Sequence, residues 1–195
     1  MFADESEREQ FFEVAKAQAQ KDFQEDPTNA HALVRWGGAL LELAHFKQGS
    51  DADKCISDAI AKLEQALSID PERTDAEWCL GNAYTSMGFL AADRKTALQH
   101  FNKAEDYFKH CKEKEPSNET YKKALEMCKK APEYYDEIQS QLQQAQAAGA
   151  VSGGGSGKNG GEANEFWWDV AGWVTLGAII VGVLMLSKGG SPAKA

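Results

Sequence analysis

The sequence predicts an all-α protein: paired helices repeated in tandem, about seven in all, followed by a single C-terminal transmembrane helix. Three observations carry this expectation. Apolar residues in the first 145 positions recur at intervals of three and four, never in strict alternation. An acidic residue followed by proline appears at 26–27, 70–71 and 115–116, at separations of 44 and 45. The chain then ends in an apolar run, "FWWDVAGWVTLGAIIVGVLMLS" at 166–187.

Phe11, Phe12, Val14, Ala15 and Phe23 suit an N-terminal capping helix. Farther along, Ile56, Ile60, Leu63 and Leu67 form one helical stripe, and Ala97, Phe101, Ala104, Phe108 and Cys111 form another. Each row lies on one helix face and leaves charged residues on the opposite face. Between the proline marks, Gly38 and Leu41 match Gly81 and Tyr84 at an offset of 43. Ala59, Leu63, Ala66 and Pro71 match Ala104, Phe108, Cys111 and Pro116 at an offset of 45. These class-matched positions resemble two tetratricopeptide repeats, forming an α-α superhelix in which the small residues let helices A and B approach closely. A standard repeat has about 34 residues, so each unit here carries roughly ten extra. Longer helices or a longer turn between A and B would absorb them. Tyr121, Leu125 and Cys128, then Ile138 and Leu142, suit C-terminal capping helices interrupted by Pro132.

Composition divides the chain into four parts. Residues 1–145 are the helical domain; 146–165 are Gly/Ser-rich and read as a flexible linker; 166–187 form the expected tail anchor; 188–195 are a short tail. The linker's root-mean-square span would be about 25 Å. Its "GGGSGKN" is not a phosphate loop, because Ser152 stands where the first glycine belongs and Asn159 where Ser or Thr must follow the lysine. The anchor would span about 27 to 33 Å. Trp167 and Trp168 stand at its leading end, Lys188 closes the other, and these three are the candidate interface anchors.

All of the net charge of −9 belongs to residues 1–145, which hold 18 Lys/Arg against 27 Asp/Glu. Such a balance points away from nucleic acid and toward cationic partners. "MFADESEREQ" has the features of neither a secretory signal nor a transit peptide. Cys55, Cys79, Cys111 and Cys128 have no metal-ligand spacing and read as reduced helix residues. His31, His45, His100 and His110 belong to no catalytic signature. No catalytic residue, metal or cofactor is expected.

Several blocks, "LVRWGGALLELAHF" (33–46), "SDAIAKLEQALSID" (57–70), "AEWCLGNAYTSMGFL" (76–90) and "LEMCKKAPEYYDEI" (125–138), resemble the plant-type presequence receptor of the translocase of the outer mitochondrial membrane. The resemblance runs through residues 11–145 and does not extend to the linker. It implies an import receptor in the outer membrane, with its N-terminal domain in the cytosol. Its partners would be precursor presequences, other translocase subunits and the lipid bilayer. Presequences are amphipathic, Arg-rich and poor in acid, so they need an apolar groove flanked by negative potential. In repeat geometry the groove positions of helix A are Arg35, Ala39, Glu42 and Leu43 in the first unit. Those of the second unit are Trp78, Asn82, Thr85 and Ser86. Ala39, Leu43 and Trp78 are the expected apolar contacts, with Glu42 and Glu77 as arginine partners.

Two other tail-anchored plans compete. A co-chaperone gripping an acidic C-terminus would need a basic and amide-rich clamp, but Ala39 and Cys79 stand where amides belong. An organelle-fission adaptor shares the two-repeat plan, but the quoted blocks do not match it.

Overall fold

The computed structural model describes residues 5–147, all but their connecting turns helical. The order is α1 (Glu5–Glu25), α2 (Ala30–Ala44), α3 (Ser50–Ile69), α4 (Thr74–Leu90), α5 (Arg94–Lys114) and α6 (Glu119–Ala147). The three acid-proline marks fall in the turns before α2, α4 and α6. Proline cannot continue a helix that needs its N–H. The neighbouring polar residues then start the next helix: Asn29 Oδ1 accepts from the Ala32 N–H at 2.9 Å, and Asn118 Oδ1 accepts from that of Thr120 at 3.0 Å. Asp93 caps α5 in the same way, taking the Thr96 N–H at 3.0 Å.

The chain divides into two compact units, Met1–Ala131 and Pro132–Ala195. In the first, α2 packs on α1 and α3, and α4 packs on α3 and α5, while α2 also touches α4. The extra length of each repeat lies in its helices: α3 has 20 residues and α5 has 21. Glycines set the closeness of each pair. A Cβ on Gly81 would stand 2.5 Å from the ring of Phe108, and one on Gly88 2.3 Å from the ring of Phe101. In the first pair the close approach belongs to Gly37, where a Cβ would meet Leu63 at 2.6 Å and the Ala59 carbonyl at 3.2 Å. That is one place before the glycine chosen by the repeat alignment, and it lies 44 residues from Gly81, matching the first proline interval. Gly38 is buried as well.

Ala59, Leu63, Ala66, Ala104, Phe108 and Cys111 are fully buried, and Tyr84 nearly so. Leu41 is half-buried and packs beside Ala44, Ile56 and Ala83. Each Leu- or Phe-sized side chain removed from water contributes roughly 1.5–3 kcal/mol. On α1, Phe12 and Ala19 are buried, but Val14 is 70% exposed. The start of α6 packs on the preceding pair: Tyr121 lies 5.1 Å from Trp78 between ring centres, and the Cys128 thiol donates to the Phe101 carbonyl at 3.5 Å. In the second unit, the described residues are the C-terminal half of α6, where Ile138 is half-buried and Leu142 is 50% exposed.

Two expectations are corrected. The described residues contain six helices rather than about seven, because α6 runs unbroken through Pro132. Proline costs one backbone hydrogen bond and crowds the preceding turn. The flanking "KKALEMCKK" and "EYYDEIQSQLQQ" are rich in strong helix formers, which carry the helix across the defect. Second, among the described residues no helix is long and apolar enough to cross a membrane. The expected span at 166–187 lies outside the described residues. So do positions 148–165, the tail 188–195, and the proposed anchors Trp167, Trp168 and Lys188.

Candidate functional site

An interval of 44 makes Arg35, Gly38 and Glu42 of α2 equivalent to Cys79, Asn82 and Ser86 of α4. The spacing of three and four places each trio on one face of its helix. The two faces adjoin, since the charge of Glu42 reaches the Cys79 thiol and α2 touches α4. Burial pushes that thiol up to about 12, so it is neutral and a poor nucleophile.

Glu42 is a buried acid on this surface. It is 5% exposed, and its Oε2 has no hydrogen-bond partner. Desolvation raises its carboxyl from the ordinary 4.5 to about 7, and the charge of Arg8 on α1 opposes that rise. Arg8 is half-buried and holds its guanidinium 5.6 Å from the centre of the Phe46 ring, four residues beyond Glu42. Phe46 lies in the turn that follows α2, so the arginine sits beside the C-terminal end of the helix that carries Glu42.

Glu77 has the same burial but different surroundings. Lys114 Nζ stands 3.2 Å from its Oε2 and His110 Nδ1 3.4 Å from its Oε1, both from α5. Lys114 also reaches Glu72 at 3.4 Å. The fold thus supplies the Lys114 cation to Glu77, whereas Glu42 has no ion pair among the described residues. Arg35 is held by Asp22 of α1, whose carboxyl this hydrogen bond keeps below its usual range. Arg73, just before α4, grips Asp75 at 2.5 Å and meets His31 Nδ1 at 3.1 Å, tying α4 to α2.

The three residues expected as apolar ligand contacts lie inside the packing. Ala39 is wholly buried, Leu43 is 1% exposed and Trp78 6%. Trp78 packs its indole between Phe108 (5.3 Å) and Tyr121 (5.1 Å), with Nε1 lacking a partner. Asn82, Thr85 and Ser86 are half-buried and donate to carbonyls four residues back: Asn82 to Trp78 at 3.1 Å, Thr85 to Gly81 at 2.8 Å, Ser86 to Asn82 at 3.1 Å. Glu42, Asn82 and Ser86 thus share the α2–α4 face. Glu77 turns toward α5. Sequence reasoning did not find Arg8 and Phe46, since their meeting depends on how α1 docks along α2.

Tandem helix pairs that share packing glycines at a fixed interval define a helical-repeat protein, a class built around a recognition surface. The family model described as "Plant specific mitochondrial import receptor subunit TOM20" matches residues 6–188. The chain belongs to that family, and its function is that of a mitochondrial import receptor. Among similar curated proteins is Mitochondrial import receptor subunit TOM20-3 of Arabidopsis thaliana, 36% identical over 192 residues, 96% of this chain and 95% of that one. Subunit TOM20-2 of the same plant is 38% identical over 197 residues, covering 95% and 94%. Subunit TOM20-1 is 45% identical over 125 residues, covering 64% and 66%. The fission-adaptor and co-chaperone readings are not favoured by these relationships.

Proposed function

We propose that this import receptor works at the mitochondrial outer membrane with its helical domain, residues 1–145, in the cytosol. There it binds basic amphipathic presequences and passes precursors to the other translocase subunits. The binding surface is the face shared by α2 and α4. Arg35, Ala39, Glu42 and Leu43 form or underlie its first half, and Trp78, Asn82, Thr85 and Ser86 its second, while Glu77 is engaged by α5. Within it, Ala39, Leu43 and Trp78 set the shape of the floor from beneath, while Asn82 and Ser86 lie along it.

The observation that carries this reading is the Glu42 carboxyl, buried on α2 of a strongly acidic domain and without an ion pair among the described residues. A buried carboxylate without a counter-charge is costly, and an incoming guanidinium relieves that cost. Burying three leucine-sized side chains of a ligand is worth roughly 5–9 kcal/mol gross. Ordering the peptide costs about 2–5 kcal/mol, and association has its own entropy cost. Micromolar or weaker affinity follows, which suits a receptor that must release its cargo.

The test is titration of the full-length chain, in mild detergent, with a fluorescently labelled Arg-rich amphipathic helix-forming peptide. Saturable binding that weakens several-fold in Glu42→Gln and vanishes when the peptide arginines become Gln supports the reading. No saturable binding to several such peptides overturns it.

A further inference from the structure

Arg8 belongs to the first turns of α1, a helix with a peptide-like composition of its own: "ESEREQFFEVAKAQAQKDFQE". It is amphipathic in part, burying Phe12 and Ala19 while leaving Phe11 38% and Val14 70% exposed. Two of the contacts that hold its beginning come from the segment just after α2. Lys47 Nζ donates to Glu9 at 2.7 Å, and the Arg8 guanidinium covers the Phe46 ring. Glu5, Ser6, Glu7 and Gln10 around it are exposed. Helix ends of this kind open at small cost compared with the rest of a domain.

Arg8 therefore brings a guanidinium on an amphipathic helix to the C-terminal end of α2, near enough for its charge to reach Glu42, which has no ion pair among the described residues. Those are the attributes the proposed cargo brings. We propose that Arg8 is an internal competitor for the Glu42–Phe46 surface, so that cargo binds there only as the first turns of α1 give way. The inference rests on the presequence-binding reading above and adds a restraint on it.

The remaining charged and titratable groups about the carboxyl fit such a role. From α4 it is faced by the neutral Cys79 thiol, and His45 at the C-cap of α2 feels the same Arg8 charge. Among the described residues, Arg8 is the cation whose field reaches Glu42, and the two form no ion pair. Its contact is thus weak enough to be exchanged, whereas the Lys114–Glu77 pair is built into the packing of α4 on α5. When the competent surface is populated for only a fraction of the time, apparent affinity falls by that fraction.

The experiment compares peptide affinity of the full-length wild type, Arg8→Ala, Arg8→Gln, Phe46→Leu and the double change Arg8→Ala/Glu42→Gln. The probe is the labelled Arg-rich amphipathic peptide, and thermal melting is followed on every variant. Removing the competitor should tighten binding by about threefold or more. The gain should disappear with a peptide whose arginines are Gln, and in the double variant. Phe46→Leu, which removes the ring but keeps an apolar side chain, gives a second reading should Arg8 variants melt early. Equal or weaker binding by folded Arg8→Gln and Phe46→Leu, with wild type still binding, overturns the inference and leaves the receptor reading intact. Failure of wild type and all variants to bind overturns both.

Discussion

Gly81 of α4 lies against the ring of Phe108 of α5, so close that a Cβ would stand 2.5 Å from Cε1. Phe108 is wholly buried and also packs against the Trp78 ring, which restricts its retreat. Gly81→Ala gains up to about 1 kcal/mol of helix propensity. Overpacking a tight core typically costs about 1–3 kcal/mol, and more where backbones must separate. The net expectation is destabilisation of about 1–2 kcal/mol, measured by urea denaturation. Gly49→Ala also costs stability, through its positive φ of 55° rather than through crowding, since nothing stands within 4 Å.

Trp78 illustrates why a binding residue and a core residue need separate tests. Its indole is sandwiched between two aromatic rings from different helices. Trp78→Ala should cost about 3–5 kcal/mol and would abolish peptide binding merely by loosening the domain. Trp78→Phe keeps most of the packing and removes an Nε1–H that has no partner. Thermal melting should show the alanine variant far below wild type and the phenylalanine variant close to it. A small shift for the alanine variant would show that the indole is not held as described.

The four cysteines should divide by burial. Cys79, Cys111 and Cys128 are buried, and desolvation pushes each thiol up to about 12. Cys55 is half-buried and shifted upward less. A maleimide reacts with thiolate, so at pH 7.5 the native protein should take up one label quickly and three more only on denaturation. Mass spectrometry of the labelled chain checks this, and rapid labelling of Cys79 would contradict the packing of α2 on α4.

Much of this architecture was legible because its signals are local. Acid-proline pairs mark turns wherever they occur, and the row Ala97, Phe101, Ala104, Phe108, Cys111 needs no partner helix to be read. What failed depended on rotation or on balance. A one-residue error turns a helix by about 100°, which separates Gly38 from Gly37 as the contact with Leu63. The same geometry carries Leu43 and Trp78 from an expected groove into the packing. Pro132 looked like a break because its local cost is real, yet favourable residues on both sides outweigh one lost hydrogen bond. Sequence reasoning proposed Glu42 and Glu77 alike as arginine partners, and only packing shows that Glu77 already pairs with Lys114 while Glu42 has no ion pair among the described residues.

Glu42 also makes the stability of the domain depend on pH in a definite direction. Its carboxyl titrates near 4.5 when solvated and near 7 in the fold. Between those values the folded chain binds a proton that the unfolded chain does not, so this group's contribution to stability declines as pH rises from about 4.5 to about 7. Above that window the penalty is complete. At 1.36 kcal/mol per pH unit it is on the order of 3 kcal/mol, less whatever relaxation admits water. Glu42→Gln should therefore be more stable than wild type at pH 8 by about 1–2 kcal/mol, because the buried amide is still short of partners. At pH 4 the difference should fade. Urea titrations at both pH values decide it, and an equal difference at both would show that the carboxyl is solvated in the fold.

The same ionisation gives cargo binding a pH dependence of opposite sense. A guanidinium gains from the carboxylate and little from the neutral acid, so binding favours the ionised form and displaces a proton. With a carboxyl titrating near 7, the ionised fraction rises from about a tenth at pH 6 to about nine tenths at pH 8. Peptide affinity should therefore increase by up to about tenfold over that range. Peptide arginines stay charged throughout, so the ligand does not contribute to the change. Calorimetric titration in buffers of different ionisation enthalpy should detect protons released on binding near pH 7. In Glu42→Gln both the release and the rise in affinity should be lost. Undiminished proton release by that variant would move the linked titration to another group, with His45, one turn from Glu42 and sensing the same Arg8, the first to be tested.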